Sequence, residues 1–193
     1  MKNLNIMIVG VGGQGTLLTS RIIGKTALYN GCDVKLSEVH GMAQRGGSVV
    51  TFVRIGEKIN EPVVEEGDAD VLIAFERLEA MRYAHFLKKD GVLIVNDCRI
   101  DPMTVVIGAK QYPENIIEDL KKEHKVYVID GGKIAAELGN NKVLNSVVLG
   151  LSAKLIGFHK EDWIKIIEKT VPQKTIELNE KAFIRGYESQ EIL

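Results

Sequence analysis

The amino-acid sequence predicts an α/β fold with an open, mostly parallel sheet, flanking helices and a helical C-terminal region. Short apolar runs, each ended by glycine or polar residues, alternate with stretches of helical spacing, which is typical of α/β proteins. The first run, 4–9, ends at a glycine cluster, and a helical pattern follows it at once. Beyond residue 130 the chain changes to consecutive helical patterns. Together these observations predict a Rossmann-like sheet with helices appended at its C-terminal end.

The individual elements follow from hydrophobic periodicity and from stop signals. Strands are predicted at 4–9, 33–37, 48–55, 70–75, 91–96 and 126–129, with a short edge strand at 104–107. The first helix runs from Leu17 to a C-terminal signal at Asn30 and Gly31. Further helices are predicted at 76–88, 113–122, 133–138, 142–156, 160–170 and 175–188. Residues 145–156 are apolar on most faces, which indicates a buried helix, whereas the charged last helix is expected to project from the body or to dock on a partner.

Composition excludes several classes of protein. The 193 residues carry a formal net charge of -1, from 25 basic and 26 acidic side chains, so there is no basic footprint for nucleic acid. The two cysteines, Cys32 and Cys98, lie far apart, and a chain without a C-x-x-C pair cannot ligate an iron–sulfur cluster or build a thiolate zinc site alone. The first apolar run is too short for a signal peptide or a membrane span. We therefore expect a cytoplasmic protein that binds neither membranes nor nucleic acid.

Gly10, Gly12 and Gly15 fit the spacing G-x-G-x-x-G between the first strand and the first helix. In this motif the first glycine permits a sharp turn, the second lets phosphates approach the backbone and the third allows close helix packing. Free N–H groups at the start of the helix favour an anion. The sequence predicts either a tight turn without a ligand or a site for a phosphate-bearing ligand.

A second concentration of polar side chains lies in the loop 38–47, after the second strand. His40 is a candidate general base, Arg45 a phosphate or carboxylate clamp, and Gln44 a hydrogen-bonding residue that orients a ligand. The backbone N–H groups of Gly46 and Gly47 could face an anion. Because this loop and the glycine loop both follow parallel strands, we expect them to meet at the same edge of the sheet.

Three other positions keep two interpretations each. Glu38 stands near the place of a ribose-binding acid, although a solvent-exposed loop acid is favoured there. Cys98 would need a base and a lowered pKa to act as a nucleophile, and the sequence indicates neither. Asn145, on an apolar helix, requires a hydrogen-bond partner if it is buried, which makes it either a tie within the core or a contact to the glycine loop.

Three segments together resemble the gamma-type domain of the 2-oxoacid:ferredoxin oxidoreductase family. They are the glycine loop G-V-G-G-Q-G at 10–15, the block E-V-H-G-M-A-Q-R-G-G-S at 38–48, and Asn145 in N-S-V-V-L-G. The resemblance covers nearly the whole chain and is closest to the small beta subunits of the branch that oxidises indolepyruvate. It implies a single domain over 1–193, with an α/β core at 1–138 and a helical part at 139–193.

The resemblance also implies a function that composition and periodicity do not reach. A heteromeric enzyme would convert aryl pyruvates to aryl-acetyl-CoA and pass electrons to ferredoxin, with thiamine diphosphate and iron–sulfur clusters on a large alpha subunit. This chain would bind no cofactor alone and would contribute to handling coenzyme A as the co-substrate. Transferred by the resemblance, the residues of this site are Gly10, Gly12, Gly13, Gln14, Gly15, Gln44, Arg45, Gly46, Gly47 and Asn145, with His40 and Arg45 as catalytic candidates.

Two alternative functions remain open at this point. The chain could be a stand-alone dinucleotide-binding oxidoreductase, for which its length leaves little room for a substrate domain. It could also be a nucleotide-sensing module that binds an adenine nucleotide without turnover.

Overall fold

The computed structural model of the protein describes residues 3–41 and 46–189, and its centre is a six-stranded sheet. The strands are β1 (Leu4–Val11), β2 (Asp33–His40), β3 (Ser48–Gly56), β4 (Ala69–Ala74), β5 (Leu87–Asn96) and β6 (Lys125–Ile129). They are ordered β2-β3-β1-β4-β5-β6. The pairs β1–β4, β4–β5 and β5–β6 are parallel, whereas β3 is antiparallel to both of its neighbours. The predicted open and mostly parallel sheet is confirmed.

Helices cover both faces of the sheet and create two separate cores. They are α1 (Thr16–Tyr29), α2 (Arg77–Tyr83), α3 (Met103–Val106), α4 (Ile116–Glu123), α5 (Gly131–Glu137), α6 (Leu144–Ile156), α7 (Lys160–Glu168) and α8 (Ile176–Tyr187). The larger core joins one face of the sheet to α1 and α5–α8, with Trp163 and Phe183 fully buried in it. The smaller core joins the other face to α2 and α4. Within 3–41 and 46–189, no helix combines the length and the apolar character needed to cross a bilayer.

The second strand does not pair with the first. Strands β1 and β2 point the same way, as expected, but β3 lies between them and forms eight residue pairs with each. The sequence signal for β3 is strong, because 48–55 is rich in β-branched residues. The position of β3 in the sheet cannot be predicted from its own residues, because it depends on tertiary contacts with other strands.

Two local predictions were wrong. Residues 104–107 lie in and just after the short helix α3 rather than in an edge strand, because Pro102 caps a helical turn and no strand lies alongside. The helix predicted over 76–88 stops at Tyr83, passes through a 3-10 turn at Ala84–Phe86, and gives way to β5 at Leu87. Leu87 is buried in the smaller core, and its apolar side chain fits both a helical period and a strand.

The last helix neither projects from the body nor leaves its apolar face free. Helix α8 packs along α6, the buried helix that the sequence predicted, and the two backbones approach closely at Gly150 and Gly186. A Cβ on Gly150 would overlap the carbonyl oxygen of Phe183, and one on Gly186 would overlap that of Val147. Both glycines are therefore required for the contact between α6 and α8.

We predict that Gly186→Ala lowers the free energy of unfolding by about 3 kcal/mol, because the added methyl group forces the two helices apart. Urea denaturation of the full chain measures the change. Gly24→Ala is the matched control, since this buried helical glycine has room for a Cβ, 3.5 Å from Val34 Cγ1. It should stabilise the protein by about 0.5 kcal/mol. Equal effects of the two substitutions would contradict the close contact.

Candidate functional site

The glycine loop and the end of β2 lie together at the carboxyl edge of the sheet. A cavity of about 410 Å³ opens there, which we call the glycine crevice; it is lined by Gly12, Gly13, Gly15, Thr16, Leu17, Glu38, His40 and Val49. The backbone N–H of Gly12 donates to the carbonyl oxygen of Gly47 at 2.8 Å, so the two loops are joined directly. The expectation that both loops share one edge is confirmed by this contact.

Two of the three glycines of the motif, Gly10 and Gly15, have roles that differ from those predicted. Gly10 lies inside β1, where a Cβ would crowd Gln14 Oε1 and Phe75 Cβ, so it serves close packing and not a turn. The N–H of Gly12 is used by Gly47. Gly15, with φ of 86°, is the N-cap of α1. Its Cα packs against the side chain of Asn145 and not against the sheet. Gly13, at an x position of the motif, has φ of 105° and open space around it, so a ligand could approach it.

The N-terminus of α1 is exposed to two cavities. No side chain of the described residues caps this helix, and its first turn holds no acidic residue. A second cavity of about 360 Å³ adjoins the glycine crevice at Gly13 and Gly15, and Lys142 and Asn145 line its other side. The free N–H groups and the helix dipole make this point favourable for an anion, with the exposed Lys142 nearby.

Asn145 is buried at the meeting point of α1 and α6. Its side chain is 5% exposed and packs against Gly15, where an added Cβ would lie 3.2 Å from Asn145 Nδ2. Its carboxamide forms no hydrogen bond with any residue in 3–41 or 46–189, although it borders the second cavity. Of the two interpretations of Asn145, the contact to the glycine loop is confirmed. An amide that borders a cavity and has no protein partner is a candidate ligand contact.

The side chain of Gln14 is used within the protein. Its Oε1 accepts from the N–H of Val11 at 2.7 Å, and its Nε2 donates to the carbonyl oxygen of Phe75 at 3.0 Å. The carboxamide therefore fixes the shape of the glycine loop, and Gln14 also lines the second cavity. The loop's own backbone remains the anion-facing part.

The polar loop after β2 is described only in part. His40 is exposed at the rim of the crevice, with Nδ1 3.0 Å from the carbonyl oxygen of Gly41, and Glu38 Oε2 accepts from Thr51 Oγ1 at 3.4 Å. Gly46 and Gly47 adjoin Gly12. The predicted residues Gln44 and Arg45 lie outside the described residues. The catalytic role of His40 stays a prediction.

Buried carboxylates behind the crevice were missed by the sequence analysis. Glu76 is 1% exposed and caps α2 by accepting from the N–H of Glu79, while Tyr112 donates to its other oxygen at 2.5 Å. Glu79 is 2% exposed; it accepts from Ser48 Oγ at 2.5 Å and forms an ion pair with Arg82 at 2.6 Å. The spacing E-x-x-E at a helix start was the available signal, but glutamate is an uncommon N-cap residue.

The cysteines fit neither a nucleophile nor a cluster site. Burial, together with the charge of Glu76, raises the pKa of the Cys98 thiol, which disfavours the reactive thiolate. Cys32 precedes β2 and Cys98 follows β5, so the two sulfurs lie at opposite edges of the sheet. Among the residues described, no group of three or more His, Cys, Asp or Glu side chains could hold a metal ion. Iron–sulfur clusters therefore do not fit the described part of this chain.

Comparison with known proteins identifies the family. The family profile described as "Pyruvate ferredoxin/flavodoxin oxidoreductase" matches residues 5–189. The chain is 42% identical over 194 residues to indolepyruvate oxidoreductase subunit IorB of Thermococcus kodakarensis, with 96% of this chain and 95% of that protein covered. It is 43% identical over 192 residues to subunit IorB of Archaeoglobus fulgidus, with 95% and 94% covered. A solved structure, pyruvate oxidoreductase subunit PORC from Thermotoga maritima, superposes with a TM-score of 0.75 at 27% identity, over 98% of this chain and 97% of that one.

Fold and site together define an α/β oxidoreductase subunit whose glycine-rich crevice lies at the carboxyl edge of the sheet. The chain belongs to the pyruvate ferredoxin/flavodoxin oxidoreductase family. It is a small subunit of a heteromeric enzyme, as the resemblance of its glycine loop and the 38–48 block predicted.

Glu79 provides a prediction with a definite sign for the pH dependence of stability. Burial raises the pKa of Glu79 from its ordinary value of 4.5, and the nearby Glu76 adds to the shift, while Ser48 and Arg82 oppose it. The folded protein therefore holds this proton more tightly than the unfolded chain, and the stability contributed by Glu79 falls as pH rises above 4.5 through the raised pKa. The unfolding free energy of wild type minus that of Glu79→Gln should decrease between about pH 4 and about pH 7.

Glu177→Gln is the control of opposite sign. A hydrogen bond from Lys181 lowers the pKa of Glu177, so its contribution to stability is present above 4.5 and is lost as pH falls through the lowered pKa. The difference between wild type and this variant should increase with pH. Urea titrations at a series of pH values measure both differences, and parallel trends in the two variants would contradict the assignment for Glu79.

Proposed function

We propose that this chain is the small subunit of an indolepyruvate:ferredoxin oxidoreductase that acts with a large alpha subunit in the cytoplasm. In the reaction the bond between the keto carbon and the carboxylate of an aryl pyruvate breaks and CO2 leaves. The remaining acyl group forms a thioester with the sulfur of coenzyme A, the thiol proton is released, and ferredoxin accepts the two electrons. Thiamine diphosphate and the iron–sulfur clusters belong to the large subunit in this proposal. The small subunit is one gamma-type domain, with its α/β core at 1–138 and its helical part at 139–193.

The glycine crevice and its neighbouring cavity are proposed to hold the diphosphate of coenzyme A. The observation that carries this proposal is the carboxamide of Asn145, which borders the second cavity beside the uncapped N-terminus of α1 and has no hydrogen-bond partner among the described residues. Backbone N–H groups after Gly15 attract negative charge, and the Asn145 amide can donate to a phosphate oxygen. The exposed ammonium group of Lys142, across the second cavity, adds a positive charge. His40, at the rim, is proposed to contact the reacting end of the ligand or the large subunit.

A dinucleotide-dependent dehydrogenase is the less favoured function. In dinucleotide-binding folds the acid that holds the ribose ends the strand beside the glycine-loop strand. Here β3 separates β2 from β1, so Glu38 is two strands away, at a spacing of roughly 10 Å. Its carboxylate also faces Thr51. The nucleotide-sensing alternative is less favoured because every relative named above is a subunit of an oxidoreductase.

Co-expression with the large subunit tests the function. We expect the complex to contain thiamine diphosphate, iron and sulfide, and to reduce ferredoxin with indolepyruvate and coenzyme A, while the small subunit alone contains no cofactor and shows no turnover. Native mass spectrometry, metal analysis and ferredoxin reduction measure these outcomes. Tight binding of NAD or a flavin by the small subunit alone, with turnover of a substrate, would overturn the proposal in favour of the dehydrogenase.

A carboxylate at position 145 tests the diphosphate site. Asn145→Asp keeps the size of the side chain but sets a negative charge against the phosphates, so the KM for coenzyme A in the complex should rise about tenfold or more. Asn140→Asp is the control: it adds the same charge nearby and can keep its cap on the N–H of Lys142. Its KM should stay within about twofold, as is usual for a half-exposed charge. An unchanged KM in Asn145→Asp would contradict the site.

A further inference from the structure

We propose that Glu79, acting through Ser48, is a positioning residue that fixes the segment Gly46–Ser48, which is hydrogen-bonded to Gly12 and precedes Val49, two residues that line the glycine crevice. This inference rests on the proposed function, because the crevice matters only if it holds coenzyme A. Glu79 itself touches no ligand in this proposal, since it lies behind the crevice on α2.

The segment Gly46–Ser48 is held on two sides by hydrogen bonds. On one side the N–H of Gly12 donates to the carbonyl oxygen of Gly47 at 2.8 Å, and the N–H of Gly46 lies 3.5 Å from the carbonyl oxygen of Gly12. On the other side Ser48 Oγ donates to Glu79 Oε2 at 2.5 Å. Hydrogen bonds with the glycine loop and with α2 therefore hold three consecutive residues at the point where the chain enters β3.

The acceptor of the serine hydroxyl is itself held in place. Glu79 Oε1 receives a hydrogen bond from Arg82 at 2.6 Å, and the N–H of Glu79 is bound by the side chain of Glu76. The hydroxyl of Tyr83 lies 3.4 Å from Ser48 Oγ. Both carboxylate oxygens of Glu79 are thus engaged, so the side chain has one orientation. A carboxylate that is 2% exposed and fully engaged is a rigid anchor.

The anchor is not needed to keep β3 in the sheet. Strand β3 has eight residue pairs with β1 and eight with β2, and Val50, Phe52 and Val53 are buried. Burying a charge costs free energy, and an apolar pair would fill the same space at lower cost. What the Ser48–Glu79 bond adds is a fixed position for the first residue of β3 and, through it, for the peptide of Gly47. Ligand sites need such support because small displacements of the contacting groups reduce affinity strongly.

Ser48→Ala in the assembled complex removes the hydroxyl donor and leaves the fold's apolar contacts intact. We expect the KM for coenzyme A to rise about fivefold to tenfold, within the range typical of losing one ordinary hydrogen bond, with kcat within about twofold of wild type. Ser48→Thr keeps the hydroxyl on a strand-favouring side chain and should restore the wild-type KM. Ser152→Ala is the matched control, because Ser152 is equally a donor but bonds to the carbonyl oxygen of Val148 within α6, and its KM should not change.

The double variant with Glu79→Gln assigns the effect to the Ser48–Glu79 pair. If Glu79 acts through Ser48, adding Glu79→Gln to Ser48→Ala should raise the KM no further than Ser48→Ala alone. A purely structural role would lower the melting temperature of Ser48→Ala and leave its KM unchanged, and that result would overturn the inference. Independent, multiplying effects of the two substitutions would overturn it as well.

Asn145→Asp, measured beside these variants, separates the two proposals. A raised KM in Asn145→Asp together with an unchanged KM in Ser48→Ala rejects the positioning role and keeps the coenzyme A site. An unchanged KM in both variants rejects the coenzyme A site and, with it, the positioning role. A raised KM in both, with rescue by Ser48→Thr, supports both.

Discussion

The carboxyl edge of the sheet depends on one acceptor, the carbonyl oxygen of Phe75 at the end of β4. It receives hydrogen bonds from Gln14 Nε2 and from Asn96 Nδ2, each at 3.0 Å, while the N–H of Phe75 donates to Val9 in β1. Asn96 extends this hydrogen-bond network to α5, because its Oδ1 accepts from the N–H of Gly131 at the start of that helix. The glycine loop, β1, β5 and α5 are thereby tied to one residue. Buried polar networks of this kind, with every atom paired, give an edge of the sheet a single arrangement.

Much of this architecture could be predicted from the sequence, because local rules set it. The buried strands, the helix after the glycine loop and the buried helix α6 follow from apolar periodicity and from glycine as a stop signal. The insertion of β3 between β1 and β2 could not be predicted, because strand order depends on tertiary contacts. The same is true of Gln14, Asn96 and Glu79. Their residue types are unremarkable in sequence, and their roles depend on partners 21 to 61 residues away.

The glycine motif illustrates why a motif alone could not settle the function. Its spacing matches a dinucleotide fingerprint, yet Gly10 is used for packing and the N–H of Gly12 for a contact with Gly47, while Gly13, which is outside the spacing, and the start of α1 face open space. The same glycine spacing is compatible with a tight turn, a nucleotide site or a coenzyme A site. The family came instead from the longer block at 38–48 and from comparison with known subunits. Packing and hydrogen bonds explain the shape of the crevice, and comparison with known subunits restricts its possible functions.

The C-terminal helices belong to the site although they lie after the sheet in sequence. Asn145 reaches the glycine loop because α6 runs through the larger core with nine buried residues and cannot shift independently. Helix α8 holds α6 by direct backbone contact at Gly150 and Gly186, and Ser146 bonds to Asn179 of α8 at 2.6 Å one position beyond Asn145. The Asn145 amide therefore loses its conformational entropy during folding and not during binding, which is the advantage of a preorganised site.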